Sequence, residues 1–213
     1  MFVFYDVDTQ NDFMEKKGTL YISGSEKIKP VLKELTQYAL NNNILILGSS
    51  DRHFEDDEEL KTFPPHCMDG TWGMERIKET KTAELRIENK YAPGKFRSYT
   101  VNELKNKLKK NKVPRITIEK QNIDVFSNPN TSKIFELLDV DGAIVYGVAT
   151  DYCVKSAVMG MLELGIDVYL VRDGIMGIGK KSSELSVREM YISGAKPLNS
   201  KDILKNDFLE EIS

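Results

Sequence analysis

Histidine is nearly missing from this chain. Its 213 residues carry two, and both fall between positions 51 and 66, in Asp51-Arg-His53 and Phe63-Pro-Pro-His66. Cysteine is as scarce, with only Cys67 and Cys153, which excludes a disulfide-stapled scaffold and points to a reducing compartment. The two thiols can pair in principle, but their surroundings suggest separate jobs. An excess of positive charge is also lacking: 30 Lys and Arg stand against 33 Asp and Glu, and the pI is about 5.6. That argues against nucleic-acid binding, since a phosphate backbone rewards a clustered positive surface. The one basic run, 105–112 (Lys105, Lys107, Lys109, Lys110, Lys112), shares its segment with Leu104 and Leu108 at helical spacing. It reads as a solvated helix face. No apolar run approaches the length needed to cross a bilayer. Met1 leads straight into Phe2-Val3-Phe4-Tyr5 without the basic start of a secretory leader. The expectation is a cytoplasmic protein with neither nucleic acid nor membrane as a partner.

What is present is an ordinary globular composition, 40% hydrophobic and 30% charged, enough for a sizeable core. Buried-strand runs at 2–7, 44–48, 116–118, 143–148 and 168–171 alternate with amphipathic segments. Ile28, Val31, Leu32, Leu35 and Ala39 recur at helical spacing after Ser23 and Ser25, with Pro30 near the helix start, where it is tolerated. Further helices are predicted over 151–164, stopped by Gly165, and over 182–192, stopped by Gly194. Strands separated by helices of this length predict an α/β fold, a three-layer α/β/α sandwich with a mostly parallel central sheet, as one domain over 1–213. The stretch 73–112 is polar, carries Pro93-Gly94 and holds one convincing helix at its end. It reads as a long insertion, a lid or a subunit contact that would suit self-association.

In open α/β sheets, ligands gather outside the carboxyl ends of the strands. The predicted strands deliver Asp8, then Asp51 and His53, then Lys120, and the fourth leads into Cys153. Each has a plain reading beside the chemical one. Cys153 is either a small core residue or a nucleophile in the first turn of a helix, where backbone N–H groups favour a thiolate. Asp8 is either a turn residue or the base that takes the thiol proton. Asp12 is the better choice for the turn. Lys120 alone reads as a surface lysine; placed beside Cys153 it would lower the thiol pKa. The two histidines either decorate a polar loop or join Asp51 around a metal ion. Asp-x-His at a strand end aims both side chains one way, and Pro64 and Pro65 limit where His66 can swing.

Asp8-x-Gln10-x-Asp12-Phe13, then Lys120, then Gly147-Val148-Ala149-Thr150-Asp151-Tyr152-Cys153, resembles the isochorismatase-like cysteine hydrolases. Asp51-x-His53 with Pro65-His66 is similar to their nicotinamidase/pyrazinamidase branch, and the likeness runs in order over about 2–198. The resemblance implies Asp8, Lys120 and Cys153 as a catalytic triad that hydrolyses a small amide through a thioester. It implies Asp51, His53 and His66 as metal ligands, with Glu59, seven residues before His66, as an added one in some members. It further implies a cis peptide at Val148-Ala149, an oxyanion site at the Ala149 and Cys153 N–H groups, and a nicotinamide pocket lined by Phe13, Phe63 and Phe126. The implied cofactor is one divalent metal, zinc first, with iron or manganese as alternatives. Two rivals stand at this point: hydrolysis of another amide or ureido compound on the same scaffold, and a non-catalytic thiol or metal-binding protein. Cys67, directly after a proposed ligand, reads as a bystander.

Overall fold

The run Phe2–Val7 forms strand β1, and five of its six residues are buried, as expected of a strand covered on both faces. In the computed structural model, residues 1–205 are described. After β1 come α1 (Asn11–Met14), α2 (Lys29–Asn41), β2 (Ile46–Asp51), β3 (Glu84–Ile87), β4 (Lys90–Ala92) and β5 (Lys95–Phe96). The chain continues with α3 (Val101–Lys110), β6 (Arg115–Lys120), α4 (Thr131–Leu137), β7 (Gly142–Val148) and α5 (Lys155–Glu163). It closes with β8 (Asp167–Met176), α6 (Lys180–Ile192), β9 (Lys196–Leu198) and α7 (Ser200–Ile203). Seven strands make one sheet in the order β3-β6-β2-β1-β7-β8-β9, and every pairing in it is parallel. β4 and β5 form a separate antiparallel hairpin.

The alternation of side chains along β1 divides the core in two. Val3, Tyr5 and Val7 pack with Leu104 of α3, Phe135 of α4, Val158 of α5 and Met190 of α6. Phe4 faces the other way, onto Leu32, Leu35 and Ala39 of α2 and Ile203 of α7. Helices therefore cover both faces, the predicted three layers. α3 begins with a capping box in which Thr100 and Glu103 bond each other's backbone, an arrangement that contributes about 1 kcal/mol.

Two expectations need correction. The second strand continues past Gly48 to Asp51, because Ser49 and Ser50, although polar, are buried between β1 and β6 and bonded there. The stretch 73–112 is not simply an excursion from the fold. It supplies β3, the sheet edge paired to β6, and it sends Arg76 into the interior. That guanidinium lies 3.1 Å from the Asp6 carboxylate, donates to the Ser49 carbonyl at 2.9 Å and sits beside a second buried pair, Arg115 to Asp6 at 2.7 Å. This edge carries little sequence signal, because Leu85 and Ile87 are only two apolar positions, interleaved with the charges of Glu84 and Arg86 that suit an edge strand.

Candidate active site

A parallel sheet puts all its strand ends on one rim, and four neighbouring strands deliver reactive groups there. Asp51 and Lys120 are the last residues of β2 and β6 and lie opposite each other in register. The Lys120 ammonium bonds one oxygen of Asp51, lies 3.0 Å from the Asp8 carboxylate and donates to Cys153 Sγ at 3.4 Å. Asp8 follows β1 in the left-handed region, φ 47°, and its other oxygen accepts the Ser49 hydroxyl at 2.7 Å. All four groups are buried. Burial works against the Lys120 charge, but Asp51, Asp8 and Cys153 outweigh it and hold the ammonium well above its usual range.

The position of Cys153 depends on a tight backbone. Gly147 has φ 121°, and a Cβ there would stand 2.1 Å from the Val7 carbonyl oxygen, so β7 lies this close to β1 only with glycine. The Val148–Ala149 peptide is cis, in the place the resemblance implies. A single π-type turn, Thr150–Val154, then lowers Cys153 toward Lys120 before α5 begins. Asp151 on that turn accepts the Ile178 and Gly179 N–H groups at 2.9 and 3.0 Å and the Ser182 hydroxyl at 2.6 Å. It thereby ties the loop before α6 over the site. Burial pushes the Cys153 thiol well above its usual range, Lys120 opposes it, and the Asp8 and Asp51 carboxylates add to the rise. Burial thus works against the helix-start effect expected from sequence. Burial likewise raises Asp8, against the opposing pull of Lys120, which makes it a stronger base than an exposed aspartate.

Beside this triad, Asp51, His53, Glu59 and His66 each offer one donor atom, all within 4.8 Å of one another. Asp51 Oδ2 lies 3.8 Å from His53 Nε2 and 3.6 Å from His66 Nε2, and Glu59 Oε1 lies 3.7 Å from His66 Nε2. Both Nε2 atoms are buried without a hydrogen-bond partner. Their Nδ1 atoms are engaged, His53 with Asp57 at 3.0 Å and His66 with the Pro64 carbonyl at 2.8 Å. Both partners are acceptors, which suits a proton on each Nδ1 and turns each Nε2, the atom that would coordinate a metal, toward the cluster. Burial and then the Asp51 charge push the Glu59 carboxyl upward, a crowding of negative charge that a cation relieves. Two imidazoles and two carboxylates converging this way fit a divalent transition metal.

Cys153 and three of the four donors border one small cavity of about 30 Å³. Asp51, Glu59, His66, Ala149 and Cys153 line it, with Phe13 and Phe63 as aromatic walls. The His66 ring stands 5.5 Å from Phe13 and 6.3 Å from Phe63, and Tyr152 lies 5.9 Å from Phe63. Phe126 is placed elsewhere. It stacks on Phe135 at 5.8 Å and presses on Gly160, because the short turn carrying it faces α5 and not the rim. Tyr152, Ile123, Leu20, Ile22 and Ile178 complete the wall without having been singled out in sequence. Only Tyr152, inside the Cys153 motif, carried any signal. Asp12 does serve the loops, accepting the Thr19 and Cys67 N–H groups at 3.0 and 2.7 Å. Cys67 Sγ points to the Gly73 carbonyl, 3.8 Å away, and lies outside the four-donor cluster.

A family model described as the Isochorismatase domain matches residues 88–202, more than half of the chain. The chain belongs to the isochorismatase family. Like its relatives it is an amide C–N hydrolase, with a small molecule as substrate. It is 26% identical over 205 residues to the nicotinamidase of Escherichia coli (strain K12), covering 89% of this chain and 90% of that protein. The fold matches the pyrazinamidase/nicotinamidase of Streptococcus mutans with a TM-score of 0.73, at 21% identity over 93% of this chain and 100% of that one. It also matches the pyrazinamidase of Pyrococcus horikoshii, solved in complex with zinc, with a TM-score of 0.72 at 24% identity, covering 93% and 98% of the two chains. Among the described residues, no helix of this isochorismatase-family member is long and apolar enough to cross a membrane.

Proposed function

We propose that this hydrolase converts nicotinamide to nicotinate and ammonia in the cytoplasm, using a divalent metal held by Asp51, His53, His66 and Glu59. One observation carries the reading: the donor cluster and the Cys153 thiol border the same aromatic-walled cavity. A flat heteroaromatic amide held by its ring nitrogen at one wall presents its carboxamide to the other. When bound, the metal supplies a Lewis-acid anchor for that nitrogen. The zinc in the Pyrococcus relative favours zinc, with iron or manganese as alternatives.

The chain's own groups carry the bond-making. The Cys153 thiol, which shares the Lys120 ammonium with Asp8, gives its proton to that carboxylate as sulfur attacks the carboxamide carbon. Lys120, 3.4 Å from the sulfur, stabilises the developing thiolate. The carbonyl electrons move onto oxygen, which is received by the Ala149 and Cys153 N–H groups. Asp8 returns its proton to the departing nitrogen, the C–N bond breaks and ammonia leaves. Water then attacks the thioester, Asp8 takes the water's proton, and the C–S bond breaks to free nicotinate and restore the thiol. Ammonia release from nicotinamide by the purified protein, before and after metal stripping and zinc return, tests the reading. Release that falls on stripping and returns with zinc is expected. A folded, zinc-loaded sample that spares nicotinamide and pyrazinamide but cleaves carbamoyl or ureido compounds would reassign the substrate.

A further inference from the structure

The hairpin β4–β5 looks peripheral, yet it reaches a buried chain of contacts that ends at the metal cluster. Lys90 on β4 is 1% exposed. Its ammonium bonds Asp57 Oδ1 and Asp56 Oδ1 at 2.6 Å, while the Gly94 N–H at the hairpin turn holds the other Asp56 oxygen at 2.7 Å. Asp57, also buried, uses Oδ2 to accept the Phe54 N–H at 2.9 Å and to meet His53 Nδ1 at 3.0 Å. On the far side of that ring, His53 Nε2 faces the cluster with no hydrogen-bond partner. Asp57 thus meets the Phe54 N–H and the Lys90 ammonium while its Oδ2 faces His53 Nδ1, an acceptor placed to favour the tautomer of the neutral ring in which Nε2 coordinates.

We infer that Lys90 and Asp57 are positioning residues for the metal: the hairpin clamps Asp57, and Asp57 sets the tautomer and orientation in which His53 can bind. Outer partners of metal-bound imidazoles set ligand basicity and ring orientation, and losing one typically costs about 10- to 100-fold in metal affinity. The assignment gives the 73–112 stretch a task at the site that neither a lid nor a subunit contact describes. It rests on the metal reading above.

Asp57→Asn keeps the size but replaces one acceptor oxygen with an NH₂ donor. The Lys90 charge retains the remaining oxygen, so the NH₂ turns toward His53 Nδ1 and pushes the ring proton to Nε2, where it blocks coordination. Zinc affinity of the full chain is measured by competition with a chelator, and the His53 tautomer by side-chain ¹⁵N spectra of the stripped protein. With two histidines in the chain, a His66→Gln sample assigns the signals. The expected result is a zinc affinity lowered about 10- to 100-fold in Asp57→Asn, a visible Nε2–H population, and a smaller loss in Lys90→Met. Should Lys90→Met fail to fold, the isosteric Asp57→Asn decides alone. A folded Asp57→Asn protein with wild-type zinc affinity and an unchanged Nδ1–H tautomer overturns the inference and leaves the metal reading standing. Wild-type protein that holds none of zinc, iron and manganese overturns both.

Discussion

The two halves of the site are built differently. Asp8, Lys120 and Cys153 come from strand ends and one turn of the central sheet, and their mutual contacts are direct. His53, Glu59 and His66 come from the irregular segment after β2, and their positions depend on groups that touch no substrate: Asp57, the Pro64 carbonyl and, through Asp57, Lys90. The rim here is rigid because β6, β2, β1 and β7 are each held by two neighbours. A loop has no ladder, so its functional side chains need outer partners of their own. In the proposed function the rim half would carry the chemistry and the loop half the anchoring.

The sharpest way to separate them is Cys153→Ala. Turnover should fall by about 10⁴-fold or more while zinc content by atomic emission stays at the wild-type level; a joint loss of both would show the halves to be one structural unit. His66→Ala is the converse. It should weaken zinc binding by more than about 100-fold, beyond the cost of an outer partner, while iodoacetamide still alkylates Cys153 in the folded protein. The smallest effect separates two phenylalanines. Phe63→Ala should raise KM severalfold with little change in unfolding midpoint. Phe126→Ala should leave KM alone and cost roughly 2 kcal/mol in a denaturant titration, below the figure for a fully buried ring because Phe126 is half-buried.

The rim half was the more legible in sequence, and for a physical reason. β1 and β7 are covered on both faces and read as continuous apolar runs, so the residues just past them were located to within a position. β2 was cut short because Gly48-Ser49-Ser50-Asp51 is polar by composition although buried in place. Asp51, His53 and His66 stand out through the scarcity of histidine rather than through periodicity, and Glu59 only through the family resemblance. Lys90 and Asp57 left no trace, since their contact spans 33 residues and joins a hairpin to a loop with no shared pattern. Phe126 lies away from the cavity that the resemblance implies for it, because an aromatic residue in a short turn says nothing of which side of the turn it faces.

Asp51 gives Oδ1 to Lys120 and turns Oδ2 toward both histidines. A single side chain thus belongs to both inventories, and no change at position 51 can be ascribed to one of them. The two halves are free to diverge everywhere except there. A lineage that discarded its imidazoles would still carry a buried ammonium at 120 in need of a counter-charge, so the aspartate should outlast the histidines it now serves.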